Sequence, residues 1–436
     1  MKVVVVGAGL AGLAAGTWLK RSGHQVEVFE ASARVGGRAK TIRRPGTDEL
    51  VDVGTQYFHS NYRRAHALMD SVGLAQNLRK IRGKTRFFDD RVKQGSFVTG
   101  HRFPYIASGS VAANVRMNLA GAWRLLRNWI DPFAVLQGVS IDDVSARDAF
   151  SDPFEWEYNA RALIMAGALV EPEDRRESLL HVVRLMRIIV LTDYLTLDGG
   201  IASLHERLAE DLTVRLQTAA ARVLEDGSGI CGMMLEDGTE VDADHVILAT
   251  PPAASAILLP QEWEHERAFL SAIWQPPAIV VTLFLDRPLE ERIWSYVFRP
   301  EPGRLVSFCV DASQKNPVMT KSGGGVLQAW ICHPASADLI SLSAAEIVEM
   351  VTGELTHTFG RLDGDILHTH VNKVPHAIPQ MGLGHNARAR DFLDQVDRRR
   401  GIEFCGDYLS GGYMECALWS AERAVKNVLS SRNAGP

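Results

Sequence analysis

Residues 2–30 read KVVVVGAGLAGLAAGTWLKRSGHQVEVFE. The β-branched run at 2–6 is of the buried-strand type. It enters Gly7-Ala8-Gly9-Leu10-Ala11-Gly12 without a spacer, and residues 13–22 then carry a helical pattern. Residues 25–29 (QVEVF) predict a second strand that ends on Glu30. The result is a strand–turn–helix–strand unit with G-x-G-x-x-G at its first turn and an acid at the tip of its second strand.

The residue types suit a dinucleotide. Gly7 permits the tight turn, Gly9 lets backbone approach a pyrophosphate, and Gly12 lets helix and strand pack closely. Leu10 and Ala11 open the helix, whose amides and positive dipole end face the phosphates. Glu30, followed by Ala31, can accept both hydroxyls of an adenosine ribose and would repel a 2′-phosphate. The stretch is uncharged from Val3 to Leu19, as a signal peptide would be. However, glycines at 7, 9, 12 and 16 interrupt any apolar core, and the sheet pattern continues through Val28.

Arg34-Val35-Gly36-Gly37-Arg38 follows, a second glycine pair between two arginines that can clamp a diphosphate from the other side. Val51-Asp52-Val53-Gly54-Thr55-Gln56 then reads as a strand entering a glycine turn. This order resembles the flavin-containing amine oxidase superfamily, which includes monoamine oxidases, protoporphyrinogen oxidases and carotenoid desaturases. The resemblance implies FAD, a Rossmann-type FAD-binding domain of the glutathione-reductase-like kind, and an inserted α+β substrate domain with a mixed sheet and a helical subdomain. It also brings Gly54, Thr55 and Gln56 to the cofactor.

Length and composition fit that class. The 436 residues, 46 % hydrophobic and 23 % charged, give an ordinary globular chain with core enough for two or three domains. A net charge of −5 with no basic tract argues against nucleic-acid binding. The five cysteines (231, 309, 332, 405 and 416) are scattered and odd in number, with no C-x-x-C. They suggest neither a disulfide framework nor a metal site, and point to a reducing, cytoplasmic setting. No apolar run approaches the ~20 residues that span a bilayer.

Along the chain, residues 61–74 predict an amphipathic helix, and 85–105 short strands (TRFFDD, GHRFPY). Residues 109–194 are mostly helical, with an apolar stripe at Leu179, Val183, Met186 and Val190. Arg184 and Arg187 share that helix, either as bystanders of a core-facing stripe or as the holder of a substrate carboxylate. Residues 163–170 are apolar and fit core packing, with a lipophilic substrate wall or a membrane-touching face as alternatives. Asp198-Gly199-Gly200 opens a helix, strands follow at 214–216, 221–224, 230–235 and 240–241, and the run 244–252 ends in Thr250-Pro251-Pro252. By resemblance these return the chain to the FAD domain, with the backbone amide of Ala220 facing the adenine and Thr250 nearby. Further strands are expected at 278–285 and 326–331, a helix at 344–358, a Pro-bracketed strand at 373–380 and a helix from 386. The FAD domain thus comprises residues 1–60, 195–255 and 385–436, and the substrate domain 61–194 and 256–384, with 109–194 helical.

The last motif is GIEFCGD at 401–407, then Gly411-Gly412-Tyr413-Met414-Glu415 before a helix at 416–429. It resembles the family's C-terminal flavin motif, and the run GYMECALWSAERA is near in type to the monoamine oxidase segment. The resemblance puts Gly406 and Asp407 on the ribityl hydroxyls and Tyr413 on the substrate side of the flavin. A helix starting near Met414 would aim its dipole at the flavin edge that becomes negative on reduction.

The cofactor would accept a hydride at N5 and pass two electrons to O2 or another acceptor. Many amine oxidases of this group hold a lysine near N5 at the start of a central substrate-domain strand. The matching region here is Ile279-Val280, and no lysine occurs between Lys93 and Lys315. The partner of the family's aromatic pair would fall near 375–380, where His376 stands and no aromatic does. The segment P-H-A-I-P-Q-M-G-L-G-H is similar to the protoporphyrinogen oxidase pattern. In monoamine oxidases of the resembled family the cysteine that carries a covalent flavin lies before the final motif, where this chain has none between Cys332 and Cys405, so the resemblance implies non-covalent FAD. Tyr413, His376 and Gln56 are the candidate catalytic residues, with His59 a further polar residue near the flavin. Three functions stay open: oxidation of an amine C–N bond, dehydrogenation of carbon–carbon or ring positions in a lipophilic substrate, and flavin binding without turnover. The expected partners are a small-molecule substrate and an electron acceptor, and a homodimer stays open.

Overall fold

The computed structural model describes the chain except residues 89–95, 100–110, 129, 134–138, 173–175, 190–191, 228, 291, 321–322, 361, 363–364 and 432–436. Its nucleotide-binding core is a five-stranded parallel sheet. In spatial order the strands are Thr213–Arg215, Gln25–Phe29, Lys2–Val6, His245–Leu248 and Ile402–Phe404. Val3 to Val5 are fully buried, as the all-apolar run requires for a central parallel strand. The helix Leu10–Arg21 begins three residues earlier than its pattern, with Gly9 as N-cap. It packs on the C-terminal helix Met414–Ser431, so the two ends of the chain share one layer.

A three-stranded antiparallel sheet (Ala220–Asp226, Gly229–Leu235, Glu240–Asp242) stands beside this core. A larger sheet builds the other half. Its order is Ile366–Val374, Ala278–Leu285, Gly325–Ile331, Phe308–Asp311, Ile293–Phe298, Lys84–Phe88 and Ser96–Thr99. Every pairing in it is antiparallel except that of Ile293–Phe298 with Lys84–Phe88. Helices Val111–Arg127, Ala162–Ala168 and Leu179–Ile189 lie in the expected helical stretch. Val190, the last residue of the predicted stripe, and the segment GHRFPY lie outside the described residues.

Two local differences have plain causes. The strand expected over 373–380 is Ile366–Val374 and stops before Pro375, which lacks an N–H for the ladder. The helix Arg63–Ser71 has no cap from its own N-terminal side chains. Instead, the buried carboxylate of Glu415 accepts from the amides of Arg64 at 2.9 Å and Ala65 at 3.1 Å, tying the C-terminal helix to the first third of the chain. No helix among the described residues is long and apolar enough to cross a membrane.

Candidate functional site

One continuous cavity of about 870 Å3 runs from the parallel sheet's C-terminal edge into the second sheet, near the upper end for small-molecule sites. All the predicted cofactor residues line it except Gly12. Gly12 acts one layer back: a Cβ there would lie 2.0 Å from Gly7 O. Gly7 has φ +107° and comparable crowding against Ala249 O, whereas a Cβ on Gly9 would meet nothing within 4 Å. Backbone closeness is therefore fixed at Gly7 and Gly12, while Gly9 leaves open the space that a pyrophosphate needs.

Glu30 uses Oε2 to accept from Ala8 N at 2.8 Å and Oε1 to accept from Ser32 N at 2.9 Å. Oε1 also accepts from Ser32 Oγ at 2.7 Å, so the acceptor capacity left for a ribose hydroxyl lies on Oε2. Arg34 braces its own glycine turn by donating to Gly37 O at 2.6 Å and Ala39 O at 2.9 Å. Burial lowers its pKa, against the pull of Glu30. Arg38 reaches Asp407 Oδ1 at 2.7 Å and Ala377 O at 2.9 Å. Thr218, Ala219, Ala220 and Glu236 line the end near Glu30, and Thr250 lines the wall formed after the strand His245–Leu248. The residues expected at adenosine, diphosphate and ribityl chain thus line one cavity, and the donor set fits FAD. None of the five cysteines lines the cavity, so it offers no thiol for a covalent link.

Beyond Tyr413 the walls become aromatic. Tyr57 and Tyr194 have ring centroids 4.7 Å apart, and Trp294 stands edge-on to Tyr57 at 6.1 Å. Phe308 stacks on Trp330 at 5.4 Å, and Leu185 and Ile188 of the helix Leu179–Ile189 complete this end. Among the described lining residues, the carboxylates and guanidiniums are Glu30, Arg34, Arg38, Glu236 and Asp407, all at the nucleotide end.

The candidate catalytic residues all line the cavity but differ in posture. Tyr413 is buried, and burial holds its phenol well above the ordinary pKa, with Cys416 adding to the rise. Gln56 turns its amide inward: Nε2 donates to Asp52 O and Gly54 O, and Oε1 accepts from Lys315 Nζ at 2.7 Å. His376 is exposed, next to the Ala377 carbonyl that Arg38 holds. His59 is buried with Nδ1 2.9 Å from Thr192 Oγ1. That hydroxyl donates to Ile188 O at 2.5 Å. Thr192 therefore accepts from Nδ1–H, which fixes the orientation of the ring.

Neither Arg184 nor Arg187 lines the cavity. Arg184 is buried and donates to Ser410 O at 2.9 Å, bracing the loop before Tyr413. Sequence reasoning missed Tyr57, Tyr194, Trp294, Phe308 and Trp330. They lie on five separate segments, so no periodicity in the sequence groups them. It also missed the position of Lys315, the first lysine after Lys93, which lies directly behind Gln56.

Comparison with known proteins agrees with this cradle. The family described as flavin containing amine oxidoreductase matches residues 10–429. (S)-6-hydroxynicotine oxidase of Paenarthrobacter nicotinovorans is 27 % identical over 57 % of this chain and 59 % of that protein. A putative flavin-containing monoamine oxidase, AofH, of Mycobacterium tuberculosis is 29 % identical over 58 % of this chain and 57 % of that protein. The chain therefore spans less than two thirds of the length of these two relatives. A 15-cis-phytoene desaturase of Capsicum annuum is 23 % identical over 98 % of this chain and 78 % of its own. Among solved structures, putrescine oxidase bound to putrescine superposes with a TM-score of 0.76 at 20 % identity, covering 99 % of both chains. A putative protoporphyrinogen oxidase from Exiguobacterium matches as well, with a TM-score of 0.76 at 19 % identity. At such identities the superpositions speak for the fold. With the family match extending over nearly the whole length, the chain belongs to the flavin-containing amine oxidoreductases.

Proposed function

We propose that the protein is an FAD-dependent oxidoreductase that oxidises the C–N bond of an amine with apolar substituents. The observation that carries this reading is the aromatic chamber that continues the nucleotide cavity past Tyr413. FAD, when bound, supplies the hydride acceptor and later passes two electrons to O2 or another acceptor. The protein's own part is placement and exclusion of water. Tyr413 forms the wall between the two ends, and Tyr57, Tyr194 and Trp294 enclose the carbon bearing the nitrogen. Rings also attract a cationic nitrogen through their faces. The imidazole of His59, which lines the same end, takes the ammonium proton that must leave before hydride can, so the ammonium substrate loses one proton and one hydride to give the protonated imine. Gln56 acts from behind as a brace, and His376 stands at the exposed side near Arg38.

A second reading has its own support. Among the described lining residues the aromatic end has no carboxylate to pair with an ammonium, which suits dehydrogenation at carbon–carbon or ring positions of an uncharged lipophilic substrate. Anaerobic mixing of the flavin-loaded enzyme with a panel of aryl and alkyl amines decides between them. Bleaching of the oxidised flavin band by an amine is the expected result. If amines leave it oxidised while polyenes or porphyrinogens reduce it, the second reading replaces the first. Reduction by neither class would favour flavin binding without turnover.

A further inference from the structure

Residues 53–56 form part of the cavity wall, and side chains from elsewhere hold three of the five carbonyls of the segment 52–56. Asp52 O accepts from Gln328 Nε2 at 2.8 Å, and Val53 O accepts from Asn372 Nδ2 at 2.8 Å. Gln56 O accepts from Lys315 Nζ at 3.2 Å. Gln328 lies on Gly325–Ile331, Asn372 on Ile366–Val374 and Lys315 on the short helix Ala312–Lys315, all in the second half of the molecule.

Lys315 is the charged member, with its side chain 1 % exposed. Its ammonium has three donors and three acceptors: Gln56 Oε1 at 2.7 Å, Gln56 O at 3.2 Å and Asp52 Oδ2 at 3.4 Å. The other oxygen of Asp52 takes Thr41 Oγ1 at 2.7 Å and Ile201 N at 2.8 Å. Asp311 fixes the helix itself by accepting from Ser313 N and Gln314 N. Burying an ion pair costs several kcal/mol per charge before pairing offsets it, and such pairs are weak sources of stability. Removing the ammonium alone would leave the fully buried Asp52 carboxylate without its counter-charge. What only the ammonium does here is fix Gln56 through two bonds and set a buried positive charge, paired with Asp52, behind Gly54-Thr55-Gln56, which line the cavity; burial lowers the pKa of Lys315, and Asp52 opposes that fall.

We propose that Lys315 is a positioning residue for the flavin, holding Gln56 and the segment 54–56 against the cofactor and making its reduction easier through the buried charge. The inference rests on the FAD reading above. A flavin gains negative charge on reduction, so a nearby fixed cation favours the reduced form.

The test uses the full-length holoenzyme with Lys315→Met and Lys315→Gln. Each is measured for FAD affinity by quenching of flavin fluorescence, and for reduction potential by dye-coupled titration of the visible spectrum. Lys315→Met is expected to weaken FAD binding at least tenfold. It should also lower the equilibrium constant for two-electron reduction at least tenfold, which is about 30 mV for such a couple. Lys315→Gln keeps a donor without the charge, so it is expected to bind FAD within about threefold of wild type and still show the lowered potential. Both variants matching wild type in affinity, spectrum and potential would overturn the proposal, even if their melting temperatures fell. Should Lys315→Met not fold, the potential of Lys315→Gln decides alone. A wild-type protein that binds no FAD would instead sink the cofactor reading.

Discussion

Arg38 and Asp407, separated by 369 positions in sequence, meet at 2.7 Å from Nη2 to Oδ1. The contact joins the glycine-pair motif to the last strand's end along the cavity wall. Asp407 is almost fully buried, whereas the Arg38 side chain is 41 % exposed, so solvent screens part of the pair. Asp407→Ala removes a cofactor acceptor and leaves Arg38 without its carboxylate. It is expected to weaken FAD binding by about 2 kcal/mol, some thirtyfold. Arg38→Ala should weaken it by roughly tenfold. Titration of apoprotein with FAD checks both, and an unchanged affinity in Asp407→Ala would remove that residue from the cradle.

The glycines of the first turn separate folding from binding. A Cβ at Gly9 meets no atom within 4 Å, whereas one at Gly12 would lie 2.0 Å from Gly7 O. Gly9→Ala is therefore expected to leave the melting temperature of the apoprotein within a few degrees of wild type while reducing FAD affinity by at least tenfold. Gly12→Ala should instead destabilise the protein by several kcal/mol, since backbone must shift. Circular dichroism melts with and without FAD distinguish the two. The pairing fails if Gly9→Ala unfolds the protein or Gly12→Ala melts like wild type.

These two sites also indicate what could be read from sequence. The cofactor end depends on backbone conformation and single side chains at fixed spacing, and such motifs survive in linear sequence: 7–12, 30–38, 52–56 and 406–414. The aromatic end does not. Tyr57, Tyr194 and Trp294 approach within about 6 Å only because the antiparallel pair Phe58–His59 with Tyr194–Leu197 lies against the strand Ile293–Phe298. That strand is buried at five of its six positions, so it lacks the alternation that marks a half-exposed strand. Lys315 was hidden for a related reason. A lysine in a polar run such as Asp311-Ala312-Ser313-Gln314-Lys315-Asn316 reads as a surface turn, and only tertiary packing makes it a buried cation.

Tyr413 tests the aromatic wall. Its hydroxyl is buried and has no hydrogen-bond partner among the described residues, while its ring lines the cavity. If the ring carries its function, Tyr413→Phe should retain kcat/KM within about threefold and match or exceed wild-type stability, because an unsatisfied buried hydroxyl is removed. Tyr413→Ala should raise KM at least tenfold for the best amine. A large loss in Tyr413→Phe would instead show that the hydroxyl contacts the substrate.

Acid stability turns on buried imidazoles. His385 is buried, its Nε2 donates to Tyr408 O at 2.8 Å, and burial lowers its pKa to about 4. Burial lowers His205 to about 4 as well. Because the unfolded chain takes up these protons near pH 6.5 and the folded chain resists until about pH 4, the unfolded state binds more protons in that window. Each histidine therefore removes up to about 1.4 kcal/mol of stability per pH unit as pH falls below 6.5. Asp311, raised to about 6, and Glu403, raised to about 7, both mainly by burial, act in the opposite sense. They keep protons longer in the folded state, so acid favours it, and the net slope of the wild type is a difference between the two groups. A variant isolates one member. His385→Gln keeps a donor for Tyr408 O but cannot take up the proton. Urea unfolding at about pH 6.5 and 4.5 should therefore show the wild type losing about 2–3 kcal/mol more than the variant across that interval. Parallel losses in the two proteins would mean that His385 is not held neutral by its surroundings.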